Sequence, residues 1–493
     1  MDQPDQNCRR RVSEVASRRI DPNAPTTWRQ SFEVYLKWSM LAMLALGFAS
    51  GLPLMMVFQK LSFWLREVGI DRTTIGGLYA VSFAYSLKFL WAPAVDRIPL
   101  PFLNSMLGQR RSWMLLAIAG TTIGLFTIGA SNPAVALLPT VIGALILAFS
   151  GATLDISVDA WRIESAPNDE QANMAAVYNL GYRFAIMFSG FGMVLADQAS
   201  WHIAYITMAA VMAVLGVIVI FFIREPDHSD RKEEPGKPFA LKVRDAVIEP
   251  FWQIVSKFGV WIIAVAGIVT LYRISDFTMG VMASPFYVDL GYTGTTVGYV
   301  QGLLGPWPII VGGFVGGFVA VRYSLMPALL AGAVLTLLTN GAFAGLAIAA
   351  GPNLDIVANA VSNNIELPPD ITVDTPPVWG LISVIVADNL AAGYVGSVFI
   401  AYMSSLTDRQ FAATQYALLS SAYSFFCKLA ATTTSGPLSE AIGWAGFFTV
   451  TALYTIPPAI LILIVMRYGP DNAKGIRKEP AEEEEEPAAA ASG

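Results

Sequence analysis

Runs of roughly 20 predominantly apolar residues follow one another along almost the whole chain, and a helix of that length spans the hydrocarbon core of a bilayer. Inside lipid every backbone N–H and C=O needs an internal partner, so a chain made of such runs folds as spanning helices. The runs predict twelve spans, near 36–60, 74–93, 112–131, 136–158, 173–197, 201–223, 258–288, 294–321, 325–350, 378–405, 411–435 and 444–467. The expected fold class is therefore an all-α membrane protein. Of 493 residues 55% are hydrophobic and 14% charged, which leaves too little charge to cover a water-soluble globule. The net charge of −6 has a local source in the C-terminal EPAEEEEEPAAAASG, a low-complexity tail expected to be disordered.

Lys and Arg decide the orientation. Arg9, Arg10, Arg11, Arg18, Arg19 and Arg29 precede the first span; Arg97, Arg110 and Arg111 follow the second; seven Lys and Arg lie in the central loop. The opposite loops hold Lys60, Arg66 and Arg72 between spans 1 and 2, and the acidic loop 351–377 holds none. Both termini are expected in the cytoplasm. The chain divides into a basic tail (1–35), a first six-helix bundle (36–223), a central loop (224–257), a second six-helix bundle (258–467) and the acidic tail (468–493).

A repeat supports this division. VGIDRTTIGGL (68–78), entering span 2, aligns with LGYTGTTVGYV (290–300), entering span 8, with Gly69/Gly291, Thr73/Thr295, Thr74/Thr296 and Gly76/Gly298 matched at an offset of 222 residues. Helix entries commonly carry a Thr cap, but a shared cap does not place the match at the same point of each half. Six helices, a basic loop and six helices resemble the major facilitator arrangement, two parallel halves about an axis normal to the membrane.

Seven charges lie inside the spans: Lys88, Asp155, Arg183, Arg273, Asp276, Asp388 and Lys428. Each costs roughly 2.5–3.5 kcal/mol at mid-membrane even on the lenient scale, so they pair or face water. They fall on spans 2, 4, 5, 7, 10 and 11, those that line or flank the central cavity of a major facilitator, and spans 3, 6, 9 and 12 carry none away from their ends. Asp155, Asp159, Lys88, Asp276 and Asp388 are candidates for a proton-coupling charge network. Asp155 is set beside Lys88 in depth, and Asp159 reaches the mouth beside Arg162. Four buried cations against three acids suit an anionic substrate, with Arg183, Arg273 and Lys428 to hold carboxylates. Tyr182, Tyr272, Tyr394 and Tyr423 stack on sugar rings or simply pack. Of the two histidines, His202 and His228, neither lies deep in a span, so a carboxylate is the expected proton carrier.

No HExxH, Gly-x-Ser-x-Gly, phosphate-binding Gly-rich loop or Cys/His cluster is present, and Asp155, Asp276 and Asp388 lack the Gly-x-Gly-Asp context of an intramembrane protease. An enzyme, a metal and a cofactor are not expected. Taken in order, ASGLPLMM, YSLKFLWAPAVDR, GQRRSW, LDISVDAWRIE, YNLGYRFA, LYRISDF and ATQYALLSS resemble the AmpG-type muropeptide permeases of the major facilitator superfamily, over about 45–460. The resemblance implies proton-driven import of N-acetylglucosaminyl-1,6-anhydro-N-acetylmuramyl peptides across a bacterial inner membrane. The expected partners are a glycopeptide, protons and lipid, with no nucleic acid and a monomeric chain. It also implies a gate at PAVDR…GQRR, with Asp96, Arg97, Arg110, Arg111 and Arg162, here split by IPLPFLNSML. A related branch carries acetyl-CoA, which remains the alternative substrate.

Overall fold

The computed structural model describes residues 37–475 apart from 166–169, 227–255, 367, 369–370 and 408–411. The basic tail 1–35, most of the central loop with His228, and residues 476–493 of the acidic tail lie outside the described residues. Among the described residues the ordered elements are helices, with no strand. Nine stretches among the described residues are long and apolar enough to cross a membrane. One of them continues through a kink at Gly443 and holds two helices, and the pieces at 72–97 and Gln171–Gln198 complete a set of twelve among the described residues. We label them α1 (Trp38–Glu67), α2 (72–97), α3 (Gln109–Ala130), α4 (Leu137–Ser165), α5 (Gln171–Gln198), α6 (Trp201–Phe222), α7 (Ser256–Asp289), α8 (Gly294–Tyr323), α9 (Leu325–Ala349), α10 (Val378–Leu406), α11 (412–442) and α12 (444–468). A further helix, Asn353–Asn363, lies between α9 and α10 and is called the cap helix.

Helices α1–α6 pack as one group, with α1 on α5 and α3 between α4 and α6; α7–α12 pack as a second, with α7 on α11 and α8 on α10. Lys37 and Gly475, the ends of the described chain, and residues 225 and 257, at the two ends of the central loop, lie at one face, here the termini face. The two groups meet through α1 and α7, α2 and α11, and α5 and α8. Between α5 and α8 the backbones touch: a Cβ on Gly190 would lie 2.7 Å from the Gly298 carbonyl oxygen, and one on Gly298 2.7 Å from that of Gly190.

Prolines accompany three of the breaks. Proline supplies no N–H and clashes with the preceding turn, so the helix widens or snaps beside it. Pro53 precedes a π-turn at Met56–Lys60 in α1. Pro306 follows a π-turn at Tyr299–Leu304 in α8, closed by the Gly305 N–H on the Val300 carbonyl at 2.9 Å. Pro93 begins the last piece of α2, and Lys88–Leu90 before it narrows to a 3₁₀ turn. In α7 the helix breaks at Tyr272–Arg273, and Arg273 has φ −101° and ψ 1°.

The repeated segments form the same turn. Gly69 (φ 88°) and Gly291 (φ 82°) close α1 and α7 in the left-handed region that favours glycine. The Ile70 N–H reaches back to the Leu65 carbonyl (2.9 Å) as Tyr292 does to Tyr287 (3.1 Å). Asp71 and Thr293 then cap α2 and α8 by accepting the Thr74 and Thr296 N–H groups.

One expectation needs correcting here. Span 1 does not end at residue 60; α1 continues to Glu67, and Lys60, Arg66 and Arg72 are 2%, 1% and 0% exposed rather than loop cations. A cation ends an apolar helix only when it has nowhere to go but water, and these side chains are turned into the protein.

Candidate functional site

Charged groups gather at two places between the helix groups. In the first group Lys88 Nζ stands 3.6 Å from Asp155 Oδ2, with side chains 33% and 18% exposed, so the pair borders open space. The 3₁₀ break at Lys88–Leu90 places the lysine there. Asp155 Oδ1 has no hydrogen-bond partner among the described residues, and neither has the nearby Tyr85 hydroxyl. Ser50 of α1 and Tyr178 of α5 complete the surroundings. One turn on, Asp159 meets Arg162 at 3.5 Å, and both are more exposed to solvent than a core pair. Arg183 is half-buried beside Tyr182, with no carboxylate partner among the described residues. Tyr178 and Tyr182 form an aromatic wall with ring centroids 6.4 Å apart.

In the second group Arg273 Nε lies 2.9 Å from Asp276 Oδ2. Both line a cavity of about 240 Å³ between α1, α2 and α7, together with Gln59, Ser62, Tyr79 and Ser284. The helix break at Arg273 and the π-turn carrying Gln59 are what present these groups to it. Asp388 on α10 has Thr339 beside it and Asp276 and Arg273 as its nearest charges, and Thr336 lies beside Asp276. Tyr423 stands near Arg273 and meets Phe399 edge-on at 5.1 Å.

Three candidates for substrate contact are placed differently. Tyr272 and Tyr394 are 4% and 3% exposed, and their hydroxyls donate to the Leu329 and Ala328 carbonyls of α9 at 2.9 and 3.1 Å. They are packing residues of the second group, because a buried hydroxyl is stable only on an acceptor. Lys428 donates to the Ser82 carbonyl (3.1 Å) and the Ser86 hydroxyl (2.9 Å). It thereby ties α11 to α2 across the two groups, and Ser424 meets Ser86 at 2.9 Å beside it.

Of the residues expected to gate, Asp96, Arg110 and Arg111 form a network inside the first group. Arg110 is bidentate to Glu164 at 2.9 and 2.6 Å and donates to Asp96 at 2.6 Å, joining α3, α4 and α2. The Arg110 and Arg111 N–H groups both donate to Glu225, and the Arg111 guanidinium donates to the Ile220 carbonyl. The Arg97 side chain lies outside the described residues. Among the described residues, hydrogen bonds at the termini face stay within one group, as with Tyr402 to Ala473 and Trp38 to Phe222.

The opposite face, here the far face, is where the groups are joined, through residues that sequence reasoning did not single out. Arg66 of α1 donates to both carboxylate oxygens of Asp289 on α7 (2.6 and 3.0 Å), to the Ile70 and Ala358 carbonyls and to Ser362. All five of its N–H donors are thereby used, which is how a fully buried guanidinium is tolerated. Trp444 Nε1 donates to the same aspartate at 2.9 Å, and Arg72 lies 5.0 Å from the Trp444 ring centre while donating to Asn359 of the cap helix. Thr73 donates to Glu440, and Thr295 to Asp197. Their one visible sequence signal is the repeated Thr-Thr pair.

The arrangement is thus two helix groups joined at the far face, with a cavity between them lined by the Arg273–Asp276 pair and a second charge cluster, Lys88–Asp155, outside that lining. Residues 38–431 match the Major Facilitator Superfamily family. The chain is 29% identical to transporter AmpG 4 of Rickettsia conorii, over 87% of this chain and 97% of that one. It is 30% identical to the anhydromuropeptide permease of Escherichia coli K12, over 86% of this chain and 78% of that one. In solved structures its fold is similar to a bacterial homolog of the human lysosomal transporter Spinster in an inward-facing, occupied conformation, with TM-score 0.60, 13% identity, 90% of this chain and 98% of that one covered. With two six-helix groups, a shared cavity and these relatives, the chain belongs to the major facilitator superfamily, and within it to the AmpG-type permeases.

Proposed function

We propose that this transporter carries anhydro-muropeptides from the periplasm to the cytoplasm, coupled to inward proton flow. The observation that carries the reading is the 30% identity to a permease of that name over 86% of the chain, on a molecule with a charge pair in each helix group, Lys88–Asp155 and Arg273–Asp276. Arg273 and Arg183 would take peptide carboxylates, Arg183 because no acid holds it among the described residues. Tyr178 and Tyr182 offer flat apolar faces for the sugar rings. Asp155 is the first choice for the proton, since a carboxylate with one oxygen unpartnered and a lysine 3.6 Å away changes its environment whenever that pair separates. Asp276 and Asp388 are next. The excess of Lys and Arg beside the termini face supports a cytoplasmic placement for it, with the far face, where the groups are joined, periplasmic. The test is uptake of radiolabelled anhydro-muropeptide into proteoliposomes with and without an inward proton gradient, with acetyl-CoA as competitor. Uptake that rises with the gradient and ignores acetyl-CoA is expected. Uptake indifferent to the gradient removes the coupling, and competition by acetyl-CoA moves the chain to that substrate.

A further inference from the structure

The duplicated turn carries a duplicated contact. On α2, Thr73 presents its backbone N–H and its hydroxyl to one carboxylate, Glu440, at 3.2 and 2.7 Å. On α8, the matching Thr295 presents the same two donors to Asp197, at 3.2 and 2.5 Å. Glu440 lies near the far end of α11 and Asp197 near the far end of α5, each the fifth helix of its group. The contacts are therefore reciprocal: the first group supplies a threonine at one and an acid at the other, and so does the second. Neither acid forms a salt bridge among the described residues, although Arg72 stands near Glu440 and Glu67 near Asp197. Both contacts cross between the groups, and each lies one turn or so beyond a glycine contact of the same helix pair, Gly76 on Gly436 and Gly298 on Gly190.

We propose that Asp197 and Glu440 are positioning residues of the transport cycle, a symmetry-related pair of latches that hold the far face shut and must both let go for it to open. A helix contact made for stability alone has no reason to recur in each half with the same donor atoms on the opposite partner. Hydrogen bonds to an ionised acceptor are the strong ones, yet these are partly exposed and, among the described residues, neither acid is held in a salt bridge. Water can therefore take them over when the groups part, which suits a contact that must break and re-form in every cycle. The inference concerns how the cavity changes face and holds whatever the cargo is.

The test uses the full chain in nanodiscs, with Cys8→Ser and Cys427→Ser and spin labels at Ala134→Cys and Asn363→Cys. These exposed positions lie on the two groups at the far face. Distances between the labels report its opening. Asp197→Ala and Glu440→Ala should each raise the fraction of separated labels about tenfold, as loss of a charge-assisted pair of bonds implies, and the double variant should raise it further. Thr73→Val and Thr295→Val should move it the same way, and Thr73→Ser and Thr295→Ser should leave it unchanged. If the alanine variants misfold, the valine pair reads the same contacts. A distance distribution unmoved by removal of either partner, including the case where only thermal stability falls, overturns the proposal. A failure of muropeptide uptake with an intact latch response would count against the cargo alone.

Discussion

At the scale of single residues, two aspartates four positions apart have different partners. Asp155 looks into the space between the groups with Lys88 as its counter-ion, and Asp159 is tied to its own helix through Arg162. Asp155→Asn is expected to abolish accumulation against a gradient while sparing exchange of bound for free substrate, and Asp159→Asn to slow both. Uphill uptake and exchange measured side by side in proteoliposomes separate them, and uphill uptake by Asp155→Asn would pass the coupling role to Asp276 or Asp388. Replacing Arg183 or Arg273 with Lys keeps the charge and loses the planar fork; an apparent affinity for the carboxylated substrate weakened about tenfold is expected, and an unchanged one excludes bidentate recognition. Arg66→Ala leaves Asp289 buried without its cation and should cost about 3–5 kcal/mol, read as a lower unfolding temperature in detergent. Arg66→Met combined with Asp289→Leu should cost less than either change alone. The pairs Lys88–Asp155 and Asp159–Arg162 were legible in the sequence because depth along a helix and a spacing of three residues are enough to bring them together, whereas Arg273 and Asp276, at the same spacing, are read in separate roles. Arg66 was not legible, since a cation at the end of an apolar run reads as a boundary, and its partner lies 223 positions away. Nor can hydropathy tell which face of α7 or α10 a tyrosine occupies, which is why the sequence leaves Tyr272 and Tyr394 open between stacking on a sugar ring and packing.

At the scale of elements, the long spans, their order and the duplicated turn could be read from the chain, because apolar runs, positive-φ glycines and threonine caps are local chemistry. The cap helix could not. NLDIVANAVSN lies inside an acidic stretch too short and polar to be a span, and it is ordered by what it touches: Asp355 accepts the Trp444 N–H at 2.8 Å, and Ala358, Asn359 and Ser362 take the arginines of the first group. Gly443 (φ 71°) turns α11 into α12 over that aspartate, and any Cβ there would meet the carboxylate at 2.4 Å. The α5–α8 contact yields a prediction at this scale. Gly298→Leu inserts a side chain between backbones that touch in this structure, where the far face is shut. Overpacking of about 1–3 kcal/mol then falls on one conformation, and populations shift roughly tenfold toward the other. A membrane-impermeant maleimide should label Ser284→Cys, which lines the inter-group cavity, faster in this background than in the parent. Equal rates would mean that α5 and α8 do not close the face.

At the scale of the whole molecule, two halves of one design meet asymmetrically. The threonine–acid contacts repeat, but the cluster of Arg66, Arg72, Asp289, Asn359 and Trp444 does not: its cations all belong to the first half and its acceptors to the second. The termini face shows the reverse economy, with Arg110 and its acids kept inside one half. The cluster also restricts how the family can drift. A lineage that lost Arg66 alone would strand Asp289, and one that lost Asp289 alone would strand both Arg66 and the Trp444 indole. These positions can therefore be exchanged only as a set, through intermediates in which the partners change nearly together. Among AmpG-type relatives, the columns matching 66 and 289 should vary in concert, and those matching 72 and 359 likewise. The columns matching 73 and 295, which have separate partners, should each follow their own acid and be free to diverge from one another.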